Sequence, residues 1–309
     1  MTSIVGDYGI LMHDVIVLGD INLDCCVLGN LELDFSSLVE NGRIVWEKIE
    51  DRPGGTGLNF AILAKKRGYD PLLIGRVGND FPGGLLLDFI SNLGLNKGVF
   101  VDKNNPTGRA VVVRDAKDIR LLIDNNTKEK LNANQFLSLD NIKSYSEEIK
   151  NSRFLYISGF CIKDKSVPRF ESVQQAIDIA VKNGTSIIFD VVPHKIYEEI
   201  SFKQLRETIP QANIVFSEVA TIRRLLSLGT TQENITERIA EETAQALRKF
   251  YHRFALRWGR SGVDEEIIWD GIARKMTRRS HDHSSAEEKR GFGDQIALDA
   301  LGNVFGLGP

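Results

Sequence analysis

Gly54–Gly55–Thr56–Gly57–Leu58–Asn59–Phe60–Ala61 follows the breaker Asp51–Arg52–Pro53 and opens a helical pattern whose apolar face includes Phe60, Leu63 and Ala64. A glycine-rich loop before a helix lets backbone approach a ligand closely. This one is not a dinucleotide fingerprint, because Phe60 occupies the last glycine position, and it carries no phosphate-loop lysine. The helix ends near Arg67–Gly68, and Pro71–Val77 reads as a buried strand. Upstream, His13–Gly19 is a similar apolar run that leads into Asp20–Ile21–Asn22–Leu23–Asp24. Asp20, Asn22 and Asp24 alternate, so in an extended segment they share one face. They stand at a strand end, the edge where open α/β sheets bind ligands.

Farther out, residues 25–50 alternate in the β manner around Gly29–Asn30 and Asn41–Gly42, the latter a hairpin signal. Gly108–Val113 and Arg120–Asp124 can pair across Arg114–Asp118 and join them in a small separate sheet. A helix is expected across Gly84–Leu93, and residues 125–150 are polar and partly helical. From Phe154 onward strands alternate with helices: strands at 154–158, 185–190, 213–217, 254–258 and 266–269, helices at 168–183, 195–209, 218–228 and 232–250. Such alternation predicts an α/β three-layer sandwich, a mostly parallel central sheet with helices on both faces. Arg274–Ser285 is strongly polar and reads as a mobile surface loop, with His281–Asp282–His283 as a solvated turn.

Composition narrows the function classes. A chain of 309 residues, 42% apolar and 26% charged, makes an ordinary globular core of one large or two medium domains. A formal net charge of -3 supplies no basic field for nucleic acid. Cys25, Cys26 and Cys161 lack paired spacing and read as free thiols of a reducing compartment. No apolar run nears the roughly 18 residues of a membrane span, and no secretory signal is read at the N-terminus. The expected location is cytoplasmic, with residues 1–12 as an N-terminal extension and residues 13–309 as one domain.

A second glycine cluster, Lys289–Arg290–Gly291–Phe292–Gly293–Asp294, precedes the apolar pattern of Ile296, Ala297, Ala300 and Leu301. A turn feeding a helix points free N–H groups outward at the positive end, a place for phosphate. Asp294 falls in the first helical turn, where a carboxylate can accept a proton from a nucleophile. The bland alternative is a hinge with a capping aspartate.

The two clusters together resemble the ribokinase-like carbohydrate and nucleoside kinases (the phosphofructokinase-B family). Gly54–Ala61 followed by Gly68 and Gly78 is similar to that family's first signature, and Gly291–Phe292–Gly293–Asp294 to its glycine–alanine–glycine–aspartate anion loop. Trp258–Gly259–Arg260–Ser261–Gly262 resembles its strand-end glycine pair. The resemblance spans about residues 13–302. It implies ATP-dependent phosphorylation of a primary hydroxyl on a sugar or sugar-like molecule, with Mg²⁺ and with ATP as co-substrate. It implies Asp294 as general base and the N–H groups around Gly291, Phe292 and Gly293 as anion hole. Asn22, Asp24, Gly54, Gly55 and Asn59 would bind the substrate, and Ser217, Gly259 and Gly262 the nucleotide. The small sheet, about 25–50 and 106–124, would be a lid and a homodimer contact. Neither nucleic acid nor membrane is an implied partner.

Several positions depart from the family pattern. Glu288 stands for an aspartate, Phe292 for a small residue, and Arg257 where a small hydroxyl residue is common. The family's asparagine-x-x-glutamate, linked to Mg²⁺, is Ser217–Glu218–Val219–Ala220 here, with Glu218 and Asp190 as the nearby acids. One helix and a glycine-containing tail follow Asp294, where the family has more chain beside the adenine. These departures leave open the alternative of a catalytically weak sugar- or nucleoside-binding protein on the same fold.

Overall fold

The computed structural model describes residues 13–28, 48–114, 120–127, 129–193, 196–229, 235–260, 263–282 and 292–309. The expected extension at 1–12, the signals at Gly29–Asn30 and Asn41–Gly42, and Gly262 and Gly291 lie outside the described residues.

The strand β1 (His13–Leu18) pairs in parallel with β4 (Pro71–Gly78) on one side and β8 (Ser152–Ser158) on the other. Beyond β4 lies β5 (Gly98–Asp102), and beyond β8 come β9 (Ser186–Val191), β10 (Ile214–Glu218) and β11 (Arg253–Arg260), all parallel. β12 (Val263–Asp270) and β13 (Lys275–Asp282) complete the described nine-stranded sheet in antiparallel register. Successive side chains of a strand point to opposite faces, so Val15 and Val17 enter one core and Ile16 and Leu18 the other. One face is covered by α1 (Thr56–Lys66), α2 (Phe81–Asn92) and α10 (Phe292–Asn303), through Leu58, Phe60, Leu86, Ile90, Ala297 and Leu301. The other carries α3 (Leu139–Lys143), α4 (Ser146–Lys150), α5 (Pro168–Asn183), α8 (Val219–Leu225) and α9 (Glu237–Leu247). The expected three-layer sandwich is thus present. No helix among the described residues is long and apolar enough to cross a membrane.

Strand order reverses at β1, since the chain adds β4 and β5 on one side and β8 to β11 on the other. The C-terminal ends of β1 and its neighbours therefore form a topological switch point, where such sheets open a crevice. A second, four-stranded sheet is rooted there, in the order β3 (Lys48–Gly54), β2 (Asn22–Leu28), β6 (Gly108–Arg114) and β7 (Arg120–Asp124).

Two expectations change. The helix expected at 195–209 is split into α6 (Ile196–Glu199) and α7 (Phe202–Thr208). Ser201 and Gln204 form a reciprocal capping box that starts a new helix in mid-pattern. The polar stretch after Arg274 is not a loop where it is described: Lys275–Asp282 is the edge strand β13. Several of its polar side chains are partnered. Arg279 donates from Nε (2.9 Å) and Nη2 (2.7 Å) to Glu266 Oε2, and His281 Nε2 lies 3.1 Å from the same oxygen. Arg278 reaches Glu237 and Glu241 on α9.

Candidate active site

The first cluster is built where β1 ends. The amides of Gly57 and Leu58 donate to Asp20 O at 3.1 and 3.2 Å, which fixes the start of α1 against the switch point. Gly55 has φ +91, and a Cβ there would lie 2.3 Å from Asp20 O, so both backbone angle and space require glycine. A Cβ on Gly54 would fall 2.0 Å from Asp24 Oδ2, which places the Asp24 carboxylate directly over that glycine. Asn22 and Asp24 sit two apart on β2, on one face, as their alternation requires. Asn22 is buried, and its Oδ1 accepts from Asn134 Nδ2 at 2.8 Å. Asn59 is half-buried in the first turns of α1. Asp20 lies before β2, not in it. Its carboxylate is taken by Arg169 and its carbonyl by α1, so it is an anchor.

The second cluster occupies the ends of β9, β10 and β11 and the start of α10. Asp294 lies in the first turn of α10. Burial pushes its carboxyl well above the ordinary range, the Asp190 charge adds to that, and the Arg257 guanidinium works against it. Asp190 is likewise pushed up, to about 6, chiefly by burial. It accepts a hydrogen bond from the Tyr156 hydroxyl at 3.1 Å. Gly259, at φ +126, turns the chain at the end of β11, where a Cβ would meet Val263 O at 2.5 Å. Ser217 spends its hydroxyl on Val191 O, at 2.9 Å, tying β10 to β9.

One run of side chains joins the two clusters. Phe60, next to Asn59, stacks on Tyr156 with centroids 3.8 Å apart, and Tyr156 carries Asp190. Thr56 Oγ1 donates to Ser158 Oγ at 2.8 Å, and Ser158 pairs with Asp190 in the sheet register. Sequence reasoning missed Asn134, Thr56, Ser158 and Tyr156. Asn134 lies in the polar 125–150 stretch with no motif of its own, Thr56 reads only as a member of the glycine motif, and Tyr156 and Ser158 only as strand residues.

Asp190 carries a pH prediction. A folded-state pKa near 6, above the ordinary carboxylate value, means the folded chain holds a proton that the unfolded chain releases. Stability therefore falls as pH rises from about 4 to about 6 and stays lowered above that. Asp190→Asn is expected to flatten this fall and raise stability at pH 7–8 by about 1–3 kcal/mol. Thermal melts of both proteins between pH 4 and 8 check it; parallel curves would refute it.

Among the described residues no three His, Cys, Asp or Glu side chains gather to hold a metal unaided. Mg²⁺ is commonly held by one or two carboxylates, with substrate phosphates completing its shell. Asp190 fits that use, because a cation beside it would restore the charge that burial disfavours.

The sequence pattern of the pfkB family carbohydrate kinase matches residues 22–251. A 5-dehydro-2-deoxygluconokinase of Geobacillus kaustophilus (strain HTA426) is 28% identical over 207 residues, 64% of this chain and 56% of that protein. The fructosamine kinase FrlD of Bacillus subtilis (strain 168) is 34% identical over 74 residues, 24% of this chain and 26% of that one. The chain spans about half the length of the gluconokinase relatives it matches. Among solved structures, 2-dehydro-3-deoxygluconokinase from Thermotoga maritima has a TM-score of 0.73 at 14% identity, covering 95% of this chain and 88% of that one. Fructokinase with bound ATP from Xylella fastidiosa has a TM-score of 0.62 at 15% identity, covering 92% and 79%. These structural likenesses establish the fold. The family match stops before β11, so it does not cover Arg257, Gly259 or Asp294. With three quarters of its length matched, this chain belongs to the pfkB family of carbohydrate kinases.

Proposed function

We propose that the protein transfers the γ-phosphoryl group of ATP to a primary hydroxyl of a sugar or sugar-like small molecule. The observation that supports this reading is the Phe60–Tyr156–Asp190 run of side chains, which links the helix of the first glycine cluster to the acid whose charge acts on Asp294. At one end Asn22, Asp24 and Asn59, with the close backbone of Gly54 and Gly55, hold the sugar hydroxyls. At the other, Asp294 takes the proton of the attacking hydroxyl, and the N–H groups at the start of α10, around Gly291, Phe292 and Gly293, face the transferring group. Mg²⁺, when bound with the nucleotide, neutralises phosphate charge, with Asp190 and Glu218 as the acids beside it. Gly259 and Gly262 border the nucleotide, with Ser217 behind them. The four-stranded sheet rooted at β1 acts as a lid that excludes water as a competing acceptor. Its exposed apolar side chains, Ile49, Val111, Leu121 and Ile123, support pairing of two copies through it.

A second reading is a sugar-binding protein of weak activity. It is favoured by Glu218, one of whose carboxylate oxygens is already bonded to Arg257. A coupled ADP-release assay over ketoses, sugar acids and fructosamines, run beside calorimetry, separates the two. Sugar-dependent ADP release supports the kinase; sugar binding with neither nucleotide binding nor ADP release supports the second reading.

A further inference from the structure

Arg257 is not used in the mechanism above, yet it lies at the phosphate end. On β11 it stands beside Glu218 of β10 and Glu266 of β12 in the sheet register. Nη2 donates to Glu218 Oε1 at 2.5 Å and Nη1 to Asp264 Oδ2 at 3.3 Å. A guanidinium carries five N–H donors, so these bonds leave others, Nε–H among them, for a further acceptor. The side chain is 27% exposed.

Its position against α10 singles it out. A Cβ built on Gly293 would lie 3.3 Å from Nε, 3.4 Å from Cζ and 3.5 Å from Nη2. The guanidinium therefore rests against the backbone of the residue before Asp294, in the turn where the helix has free N–H groups. Its charge acts on Glu218, Asp264, Asp190 and Asp294 together. A triphosphate entering beside the Glu218 and Asp264 carboxylates is repelled unless a cation faces it. A guanidinium is permanently charged, and its planar fork matches two phosphoryl oxygens at once.

We propose that Arg257 is a catalytic residue of the phosphoryl transfer, donating from its guanidinium to oxygens of the transferring group. The proposal rests on the kinase reading. The bond that forms joins the sugar oxygen to phosphorus, the bond that breaks releases ADP, and the hydroxyl proton goes to Asp294. Arg257 exchanges no atom. Glu218 and Asp264 orient it beforehand, so its charge faces the phosphoryl group without reorganisation during the reaction.

The test compares wild type, Arg257→Met and Arg257→Lys in sugar-dependent ADP release at saturating ATP, with sugar KM and melting temperature measured alongside. The expected result for Arg257→Met is a kcat about 10²–10³-fold lower with sugar KM changed less than about twofold. Arg257→Lys keeps the charge without the fork and is expected to recover about tenfold of that loss while staying below wild type. If Arg257→Met does not fold, because two carboxylates lose their partner, the lysine variant decides: a wild-type kcat there overturns the proposal. Wild-type turnover in Arg257→Met overturns it as well, as does a loss of kcat matched by equal loss of sugar affinity. Absence of any sugar-dependent ADP release by the wild type overturns the kinase reading and this proposal with it.

Discussion

Asp294→Asn is expected to lower kcat by about 10²–10⁴-fold, the usual worth of a positioned base, while the protein stays folded. Burial and the neighbouring Asp190 hold the Asp294 carboxyl well above its ordinary range. A raised pKa makes the Asp294 carboxylate a stronger proton acceptor once ionised, while burial disfavours its charged form. The sign for stability follows. The raised folded-state pKa makes the ionised side chain unfavourable at neutral pH, and asparagine imitates the neutral form. Melts at pH 7–8 should show the variant at least as stable as wild type. The wild-type rate should climb with pH as Asp294 ionises, and the residual rate of the variant should lack that climb. Full turnover in the variant, measured by coupled ADP release, would remove the mechanism proposed for this cleft.

Arg169→Ala is expected to cost about 3–5 kcal/mol of stability, the range for stripping one partner from a buried ion pair. Arg169 is 4% exposed at its side chain and Asp20 is 14% exposed. The same guanidinium donates to Gln135 Oε1 at 2.9 Å and to Phe160 O at 2.7 Å, so three acceptors lose a donor together. Asp20 in turn holds the first amides of α1 through its carbonyl. The damage therefore reaches the glycine turn proposed to face the sugar. Denaturant melts check the cost. Adding Asp20→Asn to Arg169→Met should recover part of it, because no unpaired charge is then left behind; no recovery would mean that the acceptors, not the charge, set the penalty.

The layered fold was largely legible in the chain. Continuous apolar runs such as Val15–Leu18 and Phe154–Ile157, and intervening helical patterns such as that of α5, are local signals. Each strand buried on both faces must be apolar throughout, whatever its neighbours. Gly54–Asn59 was legible for the same reason, since a positive φ at Gly55 and a backbone contact at Asp20 admit only glycine. Capping chemistry was less so: the Ser201–Gln204 box that splits α6 from α7 is short-range, but helical periodicity runs through it.

Strand β13 was hidden because its polarity is answered from elsewhere, by Glu266 across the sheet and by Glu237 and Glu241 on α9. A charge reads as solvent-facing until its partner is known. The same holds at the site. The sequence alone supplied the two glycine clusters, Asp24, Asn59 and Asp294, because turn geometry and helix ends write themselves into neighbouring residues. Only the tertiary structure decided that Asn134 holds Asn22, that Arg169 takes Asp20, and that Arg257 lies beneath Gly293. Those pairings join residues 36 to 149 positions apart, and such distances are fixed by how the sheet is ordered, which no local pattern records.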